Sequence, residues 1–290
     1  MTPTGDGLVV VDKPAGLTSH DVVARIRRLA GTRRVGHAGT LDPMATGVLV
    51  VGVNKATRLL GHLALTEKAY DATIRLGVST LTDDAEGDVL ATVPADDVSA
   101  DDLLAGVRAL TGAITQVPSS VSAVKVGGKR SYARVRGGED VVLAPRPVTV
   151  RSFDVLAVRR SPGAVDVDVH VACSSGTYVR ALARDLGSRL GVGGHLTALR
   201  RTRVGSYDLT SARTLDALVD QLVVLPIAQA ARAAFPEREV TADEARVVSH
   251  GGALPALGSA GPVAVFGPDG AFLALVEETG PVAKPLAVFV

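Results

Sequence analysis

Gly36-His37-Ala38-Gly39-Thr40-Leu41-Asp42-Pro43-Met44-Ala45-Thr46-Gly47 lies between an arginine-rich segment and the apolar run Val48 to Val53. The stretch sets the pattern of the chain: short apolar strands joined by glycine-bounded turns that carry polar side chains. Glycines allow the turn to be tight and let a ligand approach the backbone closely. Pro43 pushes Asp42 toward an extended conformation and stiffens it, which suits a carboxylate held out at a sheet edge for chemistry. An Asp-Pro turn whose side chain satisfies a local amide fits the same residues. A metal site at His37 and Asp42 lacks a third and fourth ligand nearby in sequence.

Working outward, Leu8 to Val11 reads as a buried strand that ends in the turn Asp12-Lys13-Pro14-Ala15-Gly16. Thr18 or Ser19 then caps a helix with Val22, Val23, Ile26 and Leu29 inward and Gly31 at its end. Strands are expected at Tyr70 to Val78, Val148 to Val158 and Val165 to Cys173; in the last, Val165, Val167, Val169, Val171 and Cys173 share one face. A helix at Ser99 to Leu110 buries Leu103, Leu104, Val107 and Leu110, and another runs from a Thr177 cap to about Leu190. Helical segments follow at Leu215 to Leu222 and Ile227 to Ala234. After Pro236 come short strands at Val263 to Phe266, Ala271 to Val276 and Leu286 to Val290. The mixed order of elements predicts an α+β fold with a mostly antiparallel sheet, residues 1–235 forming the main domain and 236–290 a small β-rich one.

Hydrophobic residues make up 47% of the 290, enough for one large core and a small second domain. A single Cys excludes an internal disulfide and a thiolate zinc cluster. The first residues lack the apolar run of a signal peptide and no run is long enough to span a membrane, so a soluble cytoplasmic protein is expected. Net charge is only +1, but it is segregated. Acids cluster at Asp83, Asp84, Glu86 and Asp88, and bases at Arg25 to Arg34, Lys125 to Arg136 and Arg200 to Arg203. Such segregation gives a near-neutral protein a basic face for nucleic acid; solvated surfaces are the alternative.

A second informative stretch is Cys173-Ser174-Ser175-Gly176-Thr177-Tyr178-Val179-Arg180. Arg180 falls in the first helical turn, where a cation opposes the helix dipole by roughly 0.3–1 kcal/mol, so an anionic partner is expected. That partner is Asp42, or Asp185, or another acid. Cys173 and His170 lie on opposite faces of a strand, which makes Cys173 a core residue rather than a nucleophile. Tyr70 opens its strand beside charged residues, where a ring can stack on a base or serve as an ordinary strand aromatic. Lys125, Lys129, Arg130, Arg134 and Arg136 flank a Gly127-Gly128 turn, the pattern of a basic hairpin suited to phosphates.

Taken in order, Val11-Asp12-Lys13-Pro14, Gly36 to Gly47, Lys68-Ala69-Tyr70, Thr82 to Gly87, Gln116-Val117-Pro118, Ser122 to Lys125, Ser175 to Arg180 and Leu199-Arg200-Arg201-Thr202 resemble the bacterial TruB family of pseudouridine synthases. The resemblance implies a pseudouridine synthase fold with helices flanking a central sheet, a basic insertion at about 125–141 and a PUA-like RNA-binding domain at 236–290. It implies isomerisation of the T-loop uridine of tRNA to pseudouridine, by base flipping, with no cofactor and no metal. Asp42 takes the position of the catalytic carboxylate, Tyr70 of the ring that stacks on the target base, and Arg180 of the ionic partner of the Asp. RNA-binding roles fall to His37, Lys13, Lys125, Tyr178 and Leu199. The implied partner is the T-arm stem-loop of tRNA, engaged by a monomer without a membrane or an obligate protein partner. Leu81 stands where an Asp is frequent, and Ser175 where Lys is common.

Overall fold

A computed structural model describes residues 4–119, 125–126, 129–130 and 143–290. They form two compact units: residues 1–43, 47–64 and 204–290, and residues 44–46 and 65–203.

In the first unit, Gly7–Lys13 pairs antiparallel with Thr46–Val53, in register from Gly7 opposite Val53 to Lys13 opposite Gly47. Val35–Ala38 lies antiparallel on the same strand, and Arg213–Thr214 pairs parallel with Gly7–Lys13. The helix Ser19–Ala30 begins at Thr18, whose hydroxyl accepts from the Asp21 amide, and stops at Gly31 with φ +63°. Of the two cap candidates Thr18 is the cap, which leaves the buried Ser19 hydroxyl for another task.

The change of character at Pro236 marks a new sheet of five strands, ordered Glu237–Glu239, Val263–Phe266, Phe272–Thr279, Val282–Val288 and Leu254–Pro255. Its residues do not keep a core wholly to themselves. Phe266, Phe272, Leu275 and Phe289 pack in one apolar cluster with Leu8, Val10, Val48, Val50 and Leu59. Phe266, Phe272 and Phe289 are successively tilted against each other at 5.4 and 4.6 Å between ring centroids, and Arg232 covers the Phe266 ring.

In the second unit a sheet runs Gly194–Val204, Lys68–Leu76, Ala164–Cys173, Arg146–Ser161, Gly112–Gln116. The last four of these strands pair antiparallel with their neighbours. Val165, Val167, Val169, Val171 and Cys173 are all buried, as their alternation predicts, each Val contributing roughly 1.5–3 kcal/mol by leaving water. The strand expected at 70–78 is shifted and broken. It spans Lys68–Leu76 and stops at Gly77, whose φ of +105° and close approach to the Gly163 carbonyl no larger residue tolerates. The helix Ala100–Ala109 buries Leu103, Gly106 and Val107, while Leu104 is exposed, against expectation. The cause is Gly106: a Cβ there would meet Leu186 Cδ1 at 2.8 Å, so the helices approach along the 103–106–107 face and Leu104 rotates outward. Gly187 of the helix Val179–Arg189 lies against the main chain of Gly193 and Gly194. Lys125–Val126 and Lys129–Arg130 pair antiparallel, the hairpin expected there; Tyr132, Arg134 and Arg136 lie outside the described residues. Among the described residues no helix is long and apolar enough to cross a membrane.

Candidate active site

The Asp42 loop is fixed from both sides through its main chain. Before Asp42, the buried Ser19 hydroxyl donates to the Leu41 carbonyl at 3.1 Å and accepts from the Leu41 amide at 2.9 Å. After it, the Pro43 carbonyl accepts from the Gly16 amide at 2.8 Å and from Lys13 Nζ at 3.2 Å. Gly39 and Gly47, at φ +83° and +98°, allow the loop to leave one strand and enter the next within a few residues. The result is a half-buried carboxylate on a peptide whose two neighbours cannot rotate independently. His37 belongs to the same unit and meets the His20 ring edge-to-face at 5.6 Å.

Lys13 does not stand out toward RNA as the resemblance implies. It is fully buried, and its ammonium donates to the carbonyls of Pro14, Leu17 and Pro43. A buried ammonium must be surrounded by acceptors, and here the turn supplies them. Its charge is used on the loop's own main chain.

Tyr70, Tyr178, Arg180 and Leu199 belong to the second unit. Tyr70 sits opposite Val171 on the buried face of its strand, with 7% of its surface exposed, and Leu199 is equally covered. Tyr178, not Thr177, is the cap residue of the helix Val179–Arg189. No side chain of its own makes the cap; the Gln116 carboxamide does, accepting from the Tyr178 amide at 2.8 Å and donating to its carbonyl at 3.0 Å. Arg180 therefore stands second in the helix, where a Thr177 cap would place it third.

Within its own unit Arg180 pairs with a buried acid that the sequence did not single out. Arg180 Nη1 donates to Asp84 Oδ2 at 3.2 Å and to the Thr82 carbonyl at 2.8 Å. Asp185, the alternative partner, pairs instead with Arg184. Asp83 and Asp84, read from sequence within an acidic surface cluster, are buried. Asp84 accepts from the Glu86 amide at 3.1 Å and from the Thr82 hydroxyl, and Asp83 accepts from Ser119 Oγ at 2.6 Å and Arg184 Nη1 at 3.1 Å. Burial raises the Asp83 carboxyl above the usual carboxylate range, against the Ser119 hydrogen bond and the charges of Arg184 and Arg180. Ser19, Gln116, Asp84 and Arg184 are the functional neighbours that sequence reasoning missed. The Thr82 to Gly87 and Gln116-Val117-Pro118 motifs held Asp84 and Gln116, and Ser19 stood beside the helix cap, but none of them was given a role.

Two more expectations concern the strand Ala164–Cys173. Cys173 is buried and its thiol is pushed up by burial, as befits a core residue. His170, on the other face, pairs through Nδ1 with Asp71 at 2.7 Å. Lys68 is buried as well, donating to the Thr66 carbonyl at 3.0 Å; burial, with Arg201 nearby, lowers its ammonium to about 8.

Residues 27–179 match the TruB family pseudouridylate synthase N-terminal domain, a span that holds Asp42 and Tyr70. The chain belongs to the TruB family. Residues 180–230 match the tRNA pseudouridylate synthase B C-terminal domain and residues 235–290 the C-terminal domain of tRNA pseudouridine synthase II. The tRNA pseudouridine synthase B of Thermobifida fusca (strain YX) is 64% identical over 288 residues, covering 98% of each chain. That of Nocardia farcinica (strain IFM 10152) is 62% identical over 289 residues, with 99% of this chain and 94% of the relative covered. Among solved structures, a chain of the Cbf5–Nop10–Gar1 complex superposes with a TM-score of 0.75 at 28% identity, over 98% of this chain and 85% of that one. An H/ACA ribonucleoprotein bound to a substrate RNA containing 2'-deoxyuridine gives a TM-score of 0.73 at 26% identity, with the same coverage of both chains. The pseudouridine synthase fold expected from sequence is the fold observed, a central mostly antiparallel sheet with flanking helices and a β-rich C-terminal part.

Proposed function

We propose that the chain isomerises the T-loop uridine of tRNA, with Asp42 as the reacting carboxylate and no cofactor. As a TruB family member it is an isomerase that converts uridine in tRNA to pseudouridine. The reaction breaks the bond between N1 and the ribose C1′, turns the uracil, joins C5 to C1′ and releases the C5 proton. No electrons are gained or lost, so the chemistry asks only for a nucleophile or charge stabiliser, a grip on the base and exclusion of water.

Asp42 meets the first demand. The observation that supports its assignment is the double pinning of Leu41 and Pro43, which fixes the main chain on either side of the carboxylate. Tyr70 stacks on the flipped uracil and assists loss of the C5 proton, while Tyr178 and Leu199 line the pocket. Arg180 keeps Asp42 ionised; a guanidinium offers five N–H groups in a fork, which lets one residue serve both Asp84 and a second carboxylate. His37 helps to open the T-loop, and the basic insertion beginning at Lys125 closes on phosphates. Lys13 acts through the loop it holds. The protein works as a cytoplasmic monomer on the T-arm, residues 236–290 adding RNA contacts.

The test is incubation of the full chain with a T-arm stem-loop labelled with tritium at uridine C5. Expected are tritium release, conversion of the unlabelled stem-loop without change of mass (N1 gains the proton that C5 loses) and pseudouridine at the T-loop uridine alone. Release of free uracil would mean a glycosidase, and RNA binding without either product would mean a folding factor.

A further inference from the structure

Asp83 and Arg184 take no part in the steps above. Arg180 and Arg184 stand one turn apart on the helix Val179–Arg189, and two adjacent acids take one each: Asp84 meets Arg180 at 3.2 Å and Asp83 meets Arg184 at 3.1 Å. Consecutive residues of an extended chain point their side chains apart, so two neighbours can face one helix only if the backbone turns between them. Asp83 makes that turn with φ +59°, one of two non-glycine residues in the left-handed region among the described residues. That conformation is disfavoured for any residue with a Cβ and persists where the surroundings enforce it.

The enforcing bonds are all present. The Asp83 amide donates to the Thr80 carbonyl at 3.3 Å, and its carbonyl accepts from the Leu196 amide at 3.0 Å. Its carboxylate takes the Ser119 hydroxyl, itself fully buried, and the Arg184 guanidinium. Arg184 in turn reaches the Val117 carbonyl through Nη2 at 2.7 Å and Asp185 through Nε at 2.9 Å. One arginine thus ties the acidic turn, the segment after Gln116 and the helix that carries Arg180.

We propose that Asp83 and Arg184 are positioning residues for the isomerisation: their ion pair sets the turn that delivers Asp84 to Arg180 and so fixes the direction in which the Arg180 guanidinium is presented. The proposal rests on the role given to Arg180 above. A plain structural staple would lose stability when cut, with the folded fraction turning over as before. A positioning pair loses rate in molecules that are folded and still bind RNA.

The experiment compares the full chain with Asp83→Asn, Arg184→Met and the double variant. Three quantities are read: the thermal melt, single-turnover tritium release from the labelled stem-loop, and affinity for that RNA. Each single variant is expected to slow the single turnover about 10- to 100-fold while affinity changes less than about threefold. The double variant should be no more than about threefold slower than the slower single one, because both act through one pair. Folded variants that turn over within about twofold of the wild type overturn the proposal, as do rate and affinity falling together. Should Arg184→Met fail to fold, Asp83→Asn and Ser119→Ala, which keep side-chain shape, carry the same comparison. A wild type that makes no pseudouridine sinks the underlying reading; an active wild type with equally active variants sinks this inference alone.

Discussion

The loop that carries Asp42 and the turn that carries Asp83 and Asp84 are both short and acidic, yet they hold their carboxylates by different means. The Asp42 loop is held through its main chain by Lys13, Gly16 and Ser19, all within thirty positions of their targets. Its carboxylate stays half-exposed. The acidic turn is held through the carboxylates themselves, by Arg180 and Arg184 some hundred positions away, and both acids are buried. A charge buried with its partner serves the fold and is costly to uncover.

Breaking the turn is expected to cost most. Asp84→Ala takes a buried acid from the buried Arg180, and loss of about 3 kcal/mol or more is expected in urea unfolding, with turnover falling in the folded remainder. Breaking the loop is milder. Ser19→Ala strips the Leu41 amide and carbonyl of a buried partner at a cost of about 1–3 kcal/mol, and single-turnover rate should fall while RNA affinity holds. An Asp84→Ala protein as stable as the wild type, or a Ser19→Ala enzyme at full rate, would erase the distinction.

The same logic separates what sequence could tell from what it could not. The strand Ala164–Cys173 was legible because period-two alternation of Val reports burial directly. The helix Ile227–Ala234 has the ends expected for it. The turn that carries Asp42 was legible because its glycines and Pro43 announce it, while Ser19 and Lys13 as its anchors were not. The buried state of Asp83 and Asp84 was not, since a run of acids reads as a solvated face until distant arginines are placed against it. Lys13 entered by resemblance as an RNA-binding residue, and only the fold shows three carbonyls around its ammonium. Leu104 failed because a helix stripe is chosen by its neighbour, here through Gly106.

A further test works by charge alone. Lys68 titrates at about 8 in the fold, against 10.5 for an unperturbed lysine, because burial disfavours its ammonium. Below pH 8 both folded and unfolded chains carry that proton and the burial penalty is full. Between about pH 8 and 10.5 the folded chain has lost the proton that the unfolded chain keeps, so this group's penalty is relieved as pH rises. Stability of the wild type relative to Lys68→Met should therefore improve across that window in paired denaturant melts. A difference independent of pH would place the Lys68 ammonium in contact with more solvent or charge than its burial implies.

Asp42 is the residue on which the functional account turns, and one variant addresses it. Asp42→Asn keeps the shape of the side chain and the pins on Leu41 and Pro43, and removes only the charge. Under single-turnover conditions with the tritium-labelled T-arm stem-loop, the account predicts no release above background and RNA affinity within about threefold of wild type. Release at a rate within about tenfold of the wild type would contradict it, and would move the chemistry to another residue.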